Sequence, residues 1–416
     1  MSETIISSDL AQPRQMGSAQ GSEAADSAPA SAPQWLLHSG VNAPRFLAMH
    51  AMGALFPVTA GVLIFGWRAL GVILFVLAFT AAGVFAWRQV GCRGAQLRYR
   101  EAMWLGLLLS LMLPAHLLGG ADPITKESLL PVLASAGLLL VMSIWLLGGI
   151  GAGRVHPVLI TYLLLFVCFK DALVPHYALE RKRIFYGDLF HSMPDELYAS
   201  TTQPWINTPD VPQYDSVHTD PAPQKLIAYT RGMESPQREW TSLTALLRDH
   251  MPPLEDLVVG GHPAPIGSAS AAAVIIGGLF LLYRGVIDFR VPLLIFVAAT
   301  ITMIIAPVPV VITETDTIWR WVALRDHDVG WKLGLTLVNY ELMAGPLMFT
   351  AFFLATSSAV RPITRRARAL YAILIGVLAG VFQIYVSVAI GPYLALLIAS
   401  LITPGLDKAF VPKTLV

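Results

Sequence analysis

Charged residues are scarce in this 416-residue sequence, where Asp, Glu, Lys and Arg together account for 13% of all positions. An ordinary soluble domain carries about 25%. Hydrophobic residues make up 55% of the chain. This balance excludes a soluble globular protein and predicts an integral membrane protein that contacts lipid. The net charge of +1 gives no indication of a nucleic-acid partner.

Cysteine is nearly absent as well. Cys92 and Cys168 lie at the edge of one apolar run and inside another, which argues against a disulfide framework and a metal cluster. The stretch Gly260–Pro263 has neither the preceding strand nor the following Lys-Ser/Thr of a phosphate-binding loop. The second half has no nicotinamide-binding fingerprint, and no Ser, His and Asp arrangement indicates hydrolysis. The sequence therefore does not predict a self-contained enzyme, and any electron donor is expected to be another subunit.

The sequence does contain long apolar runs. Residues 1–38 are rich in Ser, Ala, Gln, Gly and Pro and are predicted to form a disordered tail. From Phe46 onward, ten apolar runs are long enough to cross about 30 Å of hydrocarbon. We therefore predict an all-α polytopic membrane protein with about ten transmembrane helices. The runs cover residues 46–65, 69–87, 102–118, 129–147, 156–174, 266–283, 291–312, 341–356, 367–385 and 387–404.

The positive charges follow a pattern along these runs. Loops rich in Lys and Arg stay in the cytoplasm, and with ten spans the bases gather on one side. We therefore expect a multi-pass protein of the inner (plasma) membrane with cytoplasmic N and C termini, and a long extracytoplasmic loop at residues 176–265. The bases are Arg45, Arg88, Arg93, Arg98, Arg100, Arg154, Arg284, Arg290, Arg361, Arg365, Arg366, Arg368, Lys408 and Lys413.

The two halves of the chain, residues 39–175 and 266–416, resemble each other in places. Glu101 opens the third run and Glu341 opens the eighth, so both are expected to cap helix N-termini, with a role in an ion path as the alternative. Pro157 and Pro392 stand near the starts of the fifth and tenth runs. Five spans is an odd number, so the second copy must be inverted. Inverted repeats place the working site near the bilayer midplane, commonly at broken helices.

The stretch Val258–Pro292 is the strongest candidate for such a broken helix. A Gly/Pro-rich segment passes through Gly267, Ser268, Ala269 and Ser270 into an apolar run. Small residues allow close backbone approach inside a bilayer, and a break at membrane depth is tolerated only where protein or a water-filled cavity covers it. We therefore expect a buried site here.

Five segments together resemble the RnfD/NqrB family, the flavin-carrying membrane subunits of Rnf complexes and of the Na+-translocating NADH:quinone oxidoreductase. The resemblance implies a membrane subunit that relays electrons through flavin, coupled to movement of Na+ or H+, and that assembles with other subunits of such a complex. The segments are FGWRALGVIL from Phe65, GLLLSLMLP from Gly106, LLGGIGAGRVHPVLITYLLL from Leu146, IGSASAAAVIIGGLFLLYRGVIDFRVP from Ile266 and AFFLATSSAVRPIT from Ala351.

The resemblance also implies flavin sites. The family joins FMN to a Thr in a pattern of Asp, then Ser or Thr three residues later, then Gly-Ala-Thr, and Arg238–Thr244 is the matching stretch. It implies covalent FMN on Thr244, although Arg238, Ser242 and Leu243 replace the Asp, Gly and Ala. A second, non-covalent flavin could lie between the halves against Gly267, Ser268, Ser270 and Thr356. His156 could hydrogen-bond a flavin or quinone carbonyl, or could be a polar side chain reaching for water at the membrane interface.

Two further departures from the family pattern leave other functions open. Ser268 stands where the family has Glu, and Ser357 stands where it has Asp. Acids inside a bilayer are expensive and usually functional, so their loss indicates a diverged member. The alternatives are a flavin-free transporter or channel on the same scaffold and a structural paralogue that holds partner subunits.

Overall fold

The computed structural model describes most of the chain after residue 42, and the predicted tail at residues 1–38 lies outside the described residues. Every structural statement below concerns the described part. It comprises residues 43–89, 99–118, 126–146, 155–174, 177–180, 216–219, 222–230, 243–247, 251–252, 254–260, 262–312, 317–321, 331–357 and 360–410.

Helices dominate the first half. The five apolar helices are α1 (Ala43–Phe65), α2 (Trp67–Gln89), α3 (Tyr99–Met112), α4 (Lys126–Leu140) and α5 (Pro157–Cys168). A 3-10 turn at Ala115–Leu118 follows α3, and a π-helical segment, Val141–Leu146, extends α4. Four short helices connect the halves: α6 (Lys170–Leu173), α7 (Ala222–Thr230), α8 (Leu243–Ala245) and α9 (Leu254–Val259).

The second half repeats this helical character. It contains α10 (Ala271–Tyr283), α11 (Arg290–Ile305), α12 (Trp331–Ala344), α13 (Leu347–Phe349), α14 (Arg365–Tyr385) and α15 (Gly391–Ala409). A 3-10 turn at Ile266–Ser268 precedes α10, and a π-helical segment, Thr350–Leu354, continues α13.

Strands are few and short. Strand β1 (Tyr177–Glu180) pairs antiparallel with β2 (Ser216–Thr219), and β3 (Val308–Ile312) pairs antiparallel with β4 (Thr317–Arg320). The β3–β4 pair packs against the helices, since Val308 and Val310 of β3 belong to the buried core and the Val310 carbonyl accepts a 2.7 Å hydrogen bond from the Tyr229 hydroxyl of α7. The prediction of an all-α fold is confirmed.

All ten predicted apolar runs contain helix. Among the described residues, three helices are long and apolar enough to cross a membrane, Arg45–Phe65, Trp67–Gln89 and Arg365–Tyr385. The segment Lys332–Leu354 makes a fourth if its two arms, bent by 60°, count as one span. Shorter apolar helices at 130–143, 157–168, 271–283 and 290–305 complete the set. The protein is a multi-pass membrane protein, while the number of ten crossings stays a prediction.

Prolines end two helices earlier than the apolar runs do. The third run was predicted to reach residue 118, but α3 ends at Met112, just before Pro114. The seventh was predicted to reach residue 312, but α11 ends at Ile305, and Pro307 precedes the strand β3. A proline disfavours helical geometry in the residue before it and removes a backbone donor.

The eighth run begins earlier than predicted. Helix α12 starts at Trp331, so Glu341 lies near its C-terminal end and the prediction that this carboxylate caps a helix N-terminus is wrong. Ten residues with an amphipathic pattern, residues 331–340, extend the helix beyond the apolar run. Glu101, by contrast, does lie in the first turn of α3. The inverted repeat itself stays a prediction, although Pro157 and Pro392 both lie in the first turn of their helices.

Glycines set the closest helix contacts. A Cβ atom on Gly376 of α14 would lie 2.5 Å from the Ile295 carbonyl oxygen of α11, and one on Gly277 of α10 would lie 2.6 Å from the Gly53 carbonyl oxygen of α1. Small residues four apart let two helices approach to backbone contact, and Gly376 and Gly380 have that spacing. The helical core is therefore packed so closely that side chains cannot be added at these points.

Candidate functional site

A cluster of heteroaromatic side chains is buried among α1, α3 and α5. His50 of α1 and His156, the residue before α5, are both fully buried, and Trp104 of α3 is 3% exposed. His156 occupies the N-cap position, but its side chain makes no capping hydrogen bond. The interpretation of His156 as an interfacial side chain reaching for water is therefore wrong, because its ring is enclosed by protein.

Trp104 joins the two histidines. Its indole Nε1 donates a 3.1 Å hydrogen bond to Nδ1 of His50. The Trp104 ring centroid lies 5.3 Å from that of His50 and 5.6 Å from that of His156. Since an indole N–H only donates, Nδ1 of His50 must be the acceptor. The neutral His50 ring therefore carries its proton on Nε2.

Three ring nitrogens of this cluster have no hydrogen-bond partner. They are Nε2 of His50 and both Nδ1 and Nε2 of His156, all three buried. The backbone of Phe353 lies near the His50 ring but outside hydrogen-bond geometry. A neutral imidazole carries one donor and one acceptor, so the cluster offers two open donors and one open acceptor. Leaving such groups unpaired costs about 1–3 kcal/mol each, which a ligand with carbonyl and N–H groups would recover.

The second half closes this cluster with aromatic rings. Phe353 meets His50 edge-on at 5.6 Å between centroids and stacks on Phe349 at 5.3 Å. On the same π-helical stretch and just beyond it, the buried hydroxyls of Thr350 and Ser357 have no partner. The stretch of the second half that carries Phe353 thus also carries two open hydroxyl groups.

The predicted lead into α10 is buried, as expected. Ile266 is fully buried, Ser268 is 9% exposed and Ser270 is 5% exposed. The Ile266 amide donates to the Leu113 carbonyl (3.0 Å), which pairs this segment with the end of α3. A Cβ atom on Gly267 would lie 2.7 Å from Cβ of Leu111. Gly267 is therefore required for close packing, and the protein itself fills the space beside it.

The three predicted hydroxyl groups already donate hydrogen bonds. Ser268 donates to the Pro265 carbonyl (3.3 Å), Ser270 donates to the Val258 carbonyl (2.9 Å), and Thr356 donates to the Phe352 carbonyl. Ser270 also accepts from the Ala273 amide and caps α10. These hydroxyls can still accept hydrogen bonds, but none is an open donor.

The structure brings the predicted residues into two groups. Gly267 lies beside Phe349, and the rings of Phe349 and Phe353 stand between Gly267 and His50. Ser268 and Ser270 belong with Gly267. His156 belongs with His50, and neither His50 nor Trp104 was predicted from the sequence as a site residue. A histidine within the first apolar run was the available signal, because polar groups in a spanning helix are rarely without a role.

Thr244 lies away from these groups, on the short helix α8. Its side chain is exposed, whereas Leu243, Leu246 and Leu247 are buried. The hydroxyl is thus presented on the outside of a segment anchored by leucines. The other residues of the matching stretch, Arg238 to Ser242, lie outside the described residues.

The segment before α10 contains a buried histidine and a half-buried acid. His262 is 1% exposed, its Nδ1 lies 3.2 Å from the Asp256 carbonyl oxygen, and its Nε2 has no partner. Burial lowers the pKa of His262 to about 4, and burial together with Glu255 raises the pKa of Asp256 to about 6. In the described part of the chain, no group of three or more His, Cys, Asp or Glu side chains could hold a metal ion.

Comparison with known proteins gives one family. A profile described as "NQR2, RnfD, RnfE family" matches residues 30–415. The match spans both halves and the segment between them, so it covers all the candidate site residues.

Individual relatives are distant. A subunit of the Na(+)-translocating ferredoxin:NAD(+) oxidoreductase complex of Acetobacterium woodii is 27% identical over 161 residues, which is 38% of this chain and 42% of the relative. A subunit of an ion-translocating oxidoreductase complex of Halorhodospira halophila is 23% identical over 366 residues, covering 86% of this chain and 87% of the relative. The corresponding protein of Haemophilus ducreyi is 29% identical over 141 residues, about a third of each chain.

Proposed function

Because the chain belongs to the NQR2, RnfD, RnfE family, we propose that it is a membrane subunit of an ion-translocating electron-transport complex. In this proposal it relays electrons through flavin, coupled to movement of Na+ or H+, and works with the other subunits of the complex. The observation that carries the proposal is the family match over residues 30–415. The relatives from Acetobacterium woodii and Halorhodospira halophila carry names of that kind.

A non-covalent flavin at the heteroaromatic cluster fits the open polar atoms found there. The pyrimidine edge of a flavin carries carbonyl oxygens and an N–H group, which complement the open donors of His50 and His156 and the open acceptor of His156. Trp104 fixes the His50 tautomer. When bound, a flavin supplies one- and two-electron chemistry. The protein's part is to orient the ring, satisfy its polar edge and exclude water.

Covalent FMN on Thr244 is the second part of the proposal. The exposed side chain of Thr244 is accessible to a flavin transferase, and the buried leucines in α8 and directly after it hold the residue in place. A flavin attached there would lie outside the helical core, at the segment that connects the halves. It would supply a second electron carrier, separate from the heteroaromatic cluster.

We predict that Thr244→Val abolishes covalent flavin while keeping non-covalent flavin. Valine has nearly the same volume as threonine but no hydroxyl to form the phosphoester bond. The protein is purified from its native host, and in-gel fluorescence after denaturation reports covalent flavin. Flavin released by acid reports the non-covalent cofactor. Thr241→Val, which removes the neighbouring hydroxyl, is the matched control and should leave the fluorescence unchanged.

The same preparation separates the proposal from its alternatives. A wild-type protein without fluorescence and without releasable flavin would contradict flavin-based electron relay. A flavin-free transporter or channel, or a structural paralogue, would then be the better account. Fluorescence that survives Thr244→Val but disappears in Thr241→Val would place the attachment site at Thr241. The proposed electron-relay function would be unaffected.

We also propose that both termini are cytoplasmic and that residues 176–265 lie on the extracytoplasmic side of the membrane. The gathering of Lys and Arg in the loops on one side supports this orientation. After Cys92 and Cys168 are replaced by serine, Ser235→Cys should react with a membrane-impermeant maleimide in intact cells. Ile363→Cys, at an exposed position just before α14, should react only after the cells are opened. If Ile363→Cys reacted in intact cells and Ser235→Cys reacted only after the cells were opened, this orientation would be overturned.

A further inference from the structure

An acidic side chain is buried without a partner in the second half. Glu341 of α12 is 3% exposed, and its Oε2 makes no hydrogen bond. Among the described residues, no base forms an ion pair with it. An ionised carboxylate in such surroundings is costly unless it is neutralised. The charge of Glu341 must therefore be balanced by a bound proton or another small cation.

Gln383 of α14 is the polar neighbour of this acid. It is 2% exposed, and its Nε2 donates a 2.7 Å hydrogen bond to the Glu341 backbone carbonyl. Its own carbonyl oxygen, Oε1, has no partner. A protonated carboxyl group carries one O–H donor. The unpaired oxygen of Gln383 is the acceptor that such a donor would need.

Two broken helices meet at this point. The chain bends by 60° between α12 and the segment that begins with α13, at Gly345 and Pro346. Helix α14 ends at Tyr385, and α15 starts only at Gly391. The breaks face each other, since a Cβ atom on Gly345 would lie 2.9 Å from the Val388 carbonyl oxygen and 3.1 Å from Nε2 of Gln383. Membrane proteins that move ions commonly build their ion sites at such breaks.

We propose that Glu341 is a proton-carrying group, with Gln383 as its hydrogen-bond acceptor, at the meeting of these two helix breaks. The inference rests on the proposed ion coupling and names the group that takes part in it. A proton needs only the carboxyl group and one acceptor. A hard metal cation needs about six or more oxygen ligands, whereas the described part of the chain has no group of three or more His, Cys, Asp or Glu side chains that could hold a metal ion.

Titratable groups nearby connect this site with the segment that precedes α10. Tyr340, next to Glu341 in sequence, donates a 2.6 Å hydrogen bond to the Pro252 carbonyl. Helix α9 packs against α12 and carries Glu255 and Asp256. The pKa of Asp256, raised to about 6 by burial and by Glu255, lets this carboxyl exchange protons near neutral pH. Asp256 is therefore suited to deliver protons towards α12.

Infrared spectroscopy of the purified protein tests the proton directly and does not depend on electron transfer. At neutral pH, the wild type should show the carbonyl stretch of a protonated carboxylic acid, and Glu341→Gln should lack it. Gln383→Leu should shift this band, because the carboxyl loses its acceptor. Glu101→Gln is the control, since it removes an acid from the first turn of another apolar helix, α3, and it should keep the band.

Three results would overturn the proposal. The first is the absence of the band from the wild type, and the second is its persistence in Glu341→Gln. The third is its loss on addition of Na+ at constant pH, which would show that the site exchanges a metal cation. If Glu341→Gln fails to fold, Gln383→Leu still reports the site, because an unchanged band in that variant contradicts the hydrogen bond.

The complete complex in vesicles then tests the role in coupling. We expect Glu341→Gln to lower the number of charges moved per electron transferred and Glu101→Gln to leave this ratio at the wild-type value. An unchanged ratio in Glu341→Gln would overturn the coupling role. A wild-type complex that moves no charge would contradict the proposed function, whereas the infrared result on the proton would stand separately.

Discussion

Replacing Gly376 by alanine is expected to destabilise the protein by about 2 kcal/mol, within the range of about 1–3 kcal/mol that overpacking costs. The added Cβ atom would lie 2.5 Å from the Ile295 carbonyl oxygen, 2.7 Å from Cβ of Ala298 and 3.0 Å from the Ala299 amide nitrogen. Two of these neighbours are backbone atoms of α11 and cannot rotate away. The helices α11 and α14 must therefore separate.

Thermal unfolding of the purified protein in detergent, followed by tryptophan fluorescence, measures this effect. Gly137→Ala is the matched control, because Gly137 also lies in an apolar helix but its Cβ atom would meet nothing within 4 Å. Alanine favours helix over glycine by up to about 1 kcal/mol, so this variant should be as stable as the wild type or more so. Equal destabilisation by both variants would contradict the packing argument.

Replacing His156 by leucine is expected to weaken non-covalent flavin binding roughly tenfold to hundredfold. Losing a buried hydrogen-bond partner costs about 1–3 kcal/mol, and 1.4 kcal/mol corresponds to a factor of ten in affinity. The leucine side chain fills much of the space of the imidazole but offers no polar atom. Flavin extracted by acid, per molecule of purified protein, measures occupancy, and titration with free flavin measures affinity.

His262→Leu is the control for this prediction, since His262 is also buried and also has an unpaired Nε2. His262 lies near Gly260, which packs against Ile64 of α1. His50 precedes Ile64 by fourteen residues on the same helix, which corresponds to about 21 Å along the helix axis. Flavin content should therefore be unchanged in His262→Leu. Equal losses in both variants would indicate a general loss of structure, and full flavin content in His156→Leu would remove His156 from the site.

The helices were predictable because the signal for each is local. A run of about twenty apolar residues can satisfy its backbone hydrogen bonds in lipid only as a helix. Boundaries were less predictable where proline intervened, as at Pro114 and Pro307. The prediction for Glu341 was wrong because helix α12 begins at Trp331 and not at residue 341, and Lys332, Thr336 and Asn339 interrupt the apolar residues of this first part.

The sites were only partly predictable. His156 was predicted as a residue that could hydrogen-bond a flavin or quinone carbonyl, and the structure finds its ring enclosed and unpaired. The predicted Ser268, Ser270 and Thr356 proved to donate hydrogen bonds to neighbouring backbone carbonyls, which the sequence did not reveal. Such hydrogen bonds depend on where each hydroxyl points, and this is fixed by helix geometry and capping.

The sequence by itself determined the class of the protein, its apolar helices and its family, since each of these follows from composition or from local pattern. Only the tertiary structure decided which polar groups meet inside the membrane. Trp104 bonds to a histidine 54 positions away, and Gln383 bonds to a residue 42 positions away. Contacts at such separations depend on how helices pack, and close packing at glycines such as Gly376 and Gly345 is a property of two surfaces together.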